Sequence, residues 1–225
     1  MSSTRPTSPP RRPEPPLRPG EIVVAMVLAG SSGVGIIAHV LGPVPLSFSA
    51  PFVILPSAAL LALAMLVGRG RADAVHALAD RLSAGLVWGV AATAAYDAAR
   101  PLVIGALGFS LDPYRAMPLF GHLITGRPTT DRLAIGAGWA YHSVNGVTFA
   151  MMLALVRPQG GWRAGVAWGL GLQALMLALY PSLMAVRVND PEFLVTGVIG
   201  HIVWGIVLGE GLAWRARRAT SAVRA

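Results

Sequence analysis

The chain has 225 residues, of which 54% are hydrophobic and only 12% charged, with a mean hydropathy of +0.60. A soluble globular domain carries about 25% charged residues, so half that load, gathered into clusters, places most of the chain in lipid. There is no cysteine, which excludes disulfides, thiolate zinc sites, iron–sulfur clusters and covalent c-type haem attachment. The net charge of +8 is carried by arginine alone, with no lysine. Its distribution points to membrane topology and anionic headgroups rather than to nucleic acid.

Residues 1–20 hold seven prolines and four arginines with almost nothing apolar. Such a stretch buries too little surface to fold and is expected to be a disordered cytoplasmic tail. The segment that follows it is too long for a signal h-region.

Six apolar segments come next, at 21–41, 51–67, 82–108, 133–156, 162–184 and 194–214. Each reaches or approaches the ~20 residues that span a bilayer core, and in lipid such segments must be helical. The sequence therefore predicts an all-α, polytopic integral membrane helix bundle over 21–215, with six transmembrane helices. A basic tail follows at 216–225. Thirteen arginines fall on one predicted side and four on the other. That bias places both termini in the cytoplasm, N-in/C-in, at the cell membrane, which is the inner membrane for a bacterial source.

The connection at 109–132 is the longest. Met117, Phe120, Leu123 and Ile124 fall near one helical face within it, which predicts a short helix lying on the outer leaflet. Thr130 or Asp131 should cap the helix that follows. Glycine pairs four apart, Gly85/Gly89, Gly165/Gly169 and Gly205/Gly209, predict close helix packing, within the chain or between copies in a homo-oligomer.

Ionisable groups inside apolar helices are costly and usually face a bundle interior or a wet cavity. The chain has His39, Asp97, Arg100, His142, His201 and Glu210 in such segments. Glu210, near Arg215, reads as interfacial. Asp97, Arg100, His142 and His201 lie roughly 10–16 Å from the predicted outer helix ends at about 1.5 Å per residue. His39 is shallower, and Tyr96, Tyr141, Asn145 and Tyr180 add polar groups nearby. Asp97 and Arg100 are three apart and can pair, and Pro101 after them should kink or end the helix.

Gly138 and Gly146 flank His142 at four residues on either side, and Gly197 and Gly205 flank His201 likewise. Each imidazole thus projects from a smooth strip suited to a second helix or a flat ligand.

Two readings stay open. In one, the chain is an integral-membrane enzyme or redox protein with an outward-opening polar site formed by His142, His201, Asp97, Arg100, Asn145 and His39, its small-molecule ligand unspecified. Within that reading His142 and His201 hold a metal ion or a b-type haem, the glycines making room for the macrocycle. In the other, the chain is a small carrier or non-catalytic membrane subunit and the histidines are interhelical glue. An inverted repeat is excluded, since both His39 and His142 sit in the outer half. No serine-hydrolase, zinc-protease, phosphate-loop or dinucleotide motif occurs.

Overall fold

The computed structural model describes residues 17–69, 74–184, 187 and 189–224. The expected disorder over 1–16 lies outside the described residues. The described chain is all helical. Helix α1 (Pro19–Leu41) leads through a short turn to α2 (Leu46–Ser49), which runs through a π-helical turn at Ala50–Ile54 into α3 (Leu55–Gly68). Then follow α4 (Ala74–Leu107), α5 (Ala116–Thr125), α6 (Arg132–Val156), α7 (Trp162–Met184) and α8 (Pro191–Arg224).

Pro19 opens α1, where its missing N–H is harmless, so the last two residues of the predicted tail are already helical. At the other end, the predicted basic tail continues α8 as helix to Arg224.

Among the described residues, three helical stretches are long and apolar enough to cross a membrane: Pro19–Leu41, Leu46–Gly68 and Pro191–Ser221. The expectation of six crossings, with both termini on one side, is therefore overturned. The other long helices form where the sequence places them but, over their described residues, are not among those three. Helix α4 carries His76, Asp80, Arg81, Asp97 and Arg100, and α6 carries Trp139, Tyr141, His142, Ser143 and Asn145 among glycines. Arg163 and Gln173 interrupt α7. Helix length survives these residues because the backbone bonds are internal, whereas the gain from lipid burial does not. The protein is a helical bundle that is partly embedded in the membrane.

The bundle has two ends, each recognisable by its ties. At one, Arg81 donates to the Leu155 carbonyl at 2.8 Å, Arg215 pairs with Asp80, and Glu210 accepts from the Trp162 N–H at 3.0 Å. Glu210 is thus an N-terminal anchor for α7 rather than only an interfacial charge. At the other end, Glu192 accepts from the Ser110 and Leu111 amides at 2.9 and 2.8 Å. Asp131 caps α6 by accepting from Leu133 N and Ala134 N.

The glycine pairs work within this chain. Gly85 and Gly89 lie against Met151, Val147 and Ala150, bringing α4 onto α6. Gly165 and Gly205 pack backbone to backbone, and the Gly161 N–H donates to the Gly209 carbonyl at 2.8 Å, so α7 and α8 touch along a glycine seam. Helix α5 does not lie with its apolar face on lipid. Met117 and Phe120 are buried, and Gly121 and Gly138 let α5 and α6 meet at the backbone. Pro101 does not end its helix, which continues to Leu107.

Candidate functional site

Helices α4, α6 and α8 turn their polar residues toward one another near the end of the bundle that carries α5. Tyr96 stands at the centre. Its ring lies 5.9 Å from that of His142 and 5.0 Å from that of His201, centroid to centroid. It is buried because Gly200 on α8 offers no side chain there, leaving room for the Tyr96 ring and the Arg100 stem.

His142 donates through Nε2 to the Asp97 carboxylate across the α4–α6 contact, Nε2 to Oδ1 at 2.9 Å, with both side chains largely buried. Trp139 packs edge-on against the same imidazole. His201 has a different partner, the Gly197 carbonyl of its own helix at 2.8 Å from Nδ1.

Asp97 and Arg100 share a helix without forming the expected pair, because Asp97 is taken by His142. Arg100 instead donates through Nη2 to the Pro113 carbonyl. Its guanidinium lies 5.0 Å from the Tyr96 ring centroid and 5.9 Å from that of Tyr114. The Tyr114 hydroxyl donates to the Asp97 carbonyl at 2.9 Å. These bonds hold the segment between α4 and α5 over the site.

A cavity of about 130 Å³ opens among these groups. Its polar wall includes Tyr96, Arg100, His142, Asn145 and His201; apolar residues line it from α5 and α8 as well, and the described lining from α1 and α7 is wholly apolar. Four buried polar atoms on lining residues have no protein hydrogen-bond partner: Thr93 Oγ1, Arg100 Nε, Asn145 Oδ1 and Thr196 Oγ1. Unpaired buried polar atoms each cost about 1–3 kcal/mol, and native structures hold few of them. Their clustering around one cavity distinguishes it from ordinary packing.

Of the residues singled out from the sequence, His142, His201, Arg100 and Asn145 line this cavity. Asp97 stands behind His142. His39 does not join them; its Nδ1 accepts from Leu46 N at 3.4 Å, tying α1 to α2. Tyr141 turns away, donating to the Ser32 carbonyl at 2.9 Å. The Tyr180 side chain lies outside those described. Thr93 and Thr196 are not evident from the sequence as polar groups of interest. Spacing is the signal that finds Thr93, three residues before Tyr96 on the same helix face; Thr196, five residues before His201, is not reached by that signal, though it lies four before Gly200, which receives the Tyr96 ring.

No family model, curated protein or solved structure matches this chain. The site must therefore be read from its own chemistry.

The glycine strips beside the histidines are filled by protein. Gly138 receives Met117 and Gly121 of α5, and Gly146 receives Thr93. Gly197 receives Gln173, and Gly205 receives Gly165. A cavity near 150 Å³ holds a molecule the size of benzene, and this one, at about 130 Å³, is of that order. Among the described residues no three His, Cys, Asp or Glu side chains stand close enough to hold a metal ion. What the arrangement offers is the Arg100 guanidinium among neutral hydrogen-bonding groups and apolar walls, with the exposed charges of Asp112 and Arg115 at the edge.

Proposed function

We propose that this membrane protein binds a small anionic molecule, a carboxylate or phosphate, in the cavity beside Arg100. The observation that carries the reading is the situation of Arg100. Its guanidinium reaches into a mostly apolar cavity, has no carboxylate partner among the described residues, and keeps Nε without any protein acceptor. A buried charge is normally paired, because leaving it uncompensated costs several kcal/mol. Guanidinium is also the side chain whose fork of donors matches carboxylate and phosphate oxygens. Asn145, Thr93 and Thr196 supply further polar atoms in the same wall. The nearest acid on its helix, Asp97, is held by His142 and so does not quench it.

The test is ligand-dependent stabilisation of the detergent-purified protein. Butyrate and inorganic phosphate are titrated against the melting temperature, with chloride at matched ionic strength as the control. A saturable rise is expected with at least one of the two anions, and its loss in Arg100→Gln. No rise with either, or an undiminished rise in Arg100→Gln, would overturn the reading.

A further inference from the structure

We infer that the ligand is a single-chain anionic amphiphile whose head lies at Arg100 and whose apolar chain leaves the cavity sideways between α1 and α7. This rests on the anion reading above. Four observations carry it.

The first is volume. About 130 Å³ accommodates a head group and little more, so any larger ligand must project out. The second is the polarity of the walls. The polar side chains come from α4, α6, α8 and the segment before α5, which adds Asp112 and Arg115, whereas Gly33 and Ile36 of α1 and Leu172, Leu175, Met176 and Leu179 of α7 are all apolar. Among the described residues, no ionisable group from α1 or α7 lines the cavity. A ligand polar at both ends would find nothing to bond there.

The third observation is an opening. Helices α1 and α7 face each other across the cavity yet scarcely touch, while α7 packs on α8 and α1 on α6. Leu175 lines the cavity and is 40% exposed, which places it at a mouth. The fourth is what lies beyond that mouth. Helix α1 is long and apolar enough to cross the membrane, and Val34, beside the mouth-lining residues, is 62% exposed. An apolar side opening next to a membrane-crossing helix gives onto hydrocarbon, where a chain remains solvated by lipid. The other approach, past Asp112 and Arg115, is charged and exposed, and suits water and a head group rather than a chain.

The experiment compares three probes, butyrate, decanoate and decyl phosphate, on wild type, Arg100→Gln and Leu175→Trp. Leu175 is exposed enough for tryptophan to be accommodated while narrowing the mouth. Decanoate or decyl phosphate should stabilise wild type, and whichever acts identifies the head as carboxylate or phosphate. Leu175→Trp should weaken that long-chain probe at least tenfold more than it weakens butyrate. Arg100→Gln should abolish all three effects. A decanoate analogue with a mid-chain diazirine should label peptides containing Ile36 or Leu175 to Leu179 on irradiation. Undiminished long-chain binding in Leu175→Trp, or labelling confined to the segment 109–115, would overturn the sideways exit while leaving the anion site standing. Failure of every probe on wild type would overturn the anion site itself.

Discussion

The Asp97–His142 contact is the interaction whose energetic role can be worked most directly. It joins α4 to α6 at 2.9 Å, with the two side chains only 20% and 16% exposed, respectively. A hydrogen bond to a charged group contributes about 1.5–3 kcal/mol net, and at this burial solvent screening removes little of it. Asp97→Ala leaves the His142 Nε2 without its partner. His142→Ala leaves a carboxylate without its partner and should be the more damaging, since an orphaned charge is harder to desolvate than an imidazole. The double variant removes both groups together. Its loss should therefore fall short of the sum of the single losses by about 1.5–2.5 kcal/mol, within the range found for directly bonded pairs. Equilibrium unfolding in mixed micelles measures all four corners of the cycle. In a chain of this size about 2–4 °C of melting temperature accompanies each kcal/mol, so each single variant should melt about 3–12 °C lower. If the single losses add to the double within about 0.5 kcal/mol, the contact is incidental and the account of why Arg100 lacks a carboxylate fails with it.

Three further outcomes follow from the packing and the caps. Gly138→Leu should unseat α5, because any Cβ there meets the Met117 carbonyl; overpacking of this kind costs about 1–3 kcal/mol or more, and limited proteolysis between residues 109 and 131 should accelerate, whereas unchanged cleavage would mean that α5 is not held by that contact. Glu192→Gln should loosen the segment before α5, raising amide hydrogen exchange at Ser110 and Leu111 about fivefold for the loss of roughly 1 kcal/mol of charge-assisted bonding; equal exchange rates would show the tie to be dispensable. The Leu133 N–H, and then Arg127, hold the Asp131 carboxyl below its ordinary value of 3.8. A depressed folded-state pKa gives stability that is present above the unfolded value and lost as pH falls through the folded one. Asp131→Ala should therefore melt lower than wild type near neutrality, with the gap closing below pH 3.8; a gap of the same size at about pH 2.5 would contradict the charge-based cap.

Helices are legible in this sequence because their causes are local. The apolar runs, the prolines at Pro19 and Pro191, and the aspartate before Arg132 each act within a few residues. The glycine pairs correctly announce close helix contacts, since a missing side chain permits an approach whatever the partner. The count of membrane crossings was not legible in the same way. Helical length and polar interruption are separate quantities, and the interruptions in α4, α6 and α7 include residues of the cavity and of its packing.

That Asp97, Arg100, His142 and His201 are uncomfortable in an apolar setting follows from the sequence alone, because the desolvation of a polar group is a property of the residue. Which partner relieves each one does not. Asp97 lies three residues from Arg100, an easy pairing along one helix, yet the α4–α6 crossing at Gly85 and Gly89 brings His142 to it instead. Arg100 is then left to a carbonyl and two aromatic faces. The glycines beside the histidines likewise signalled space, and only the folded bundle decided that α4, α5 and α7 would fill it. Backbone geometry within a helix is set by near neighbours, whereas the partner of a buried charge is set by whichever helix is packed across from it, and that is decided by the whole bundle at once.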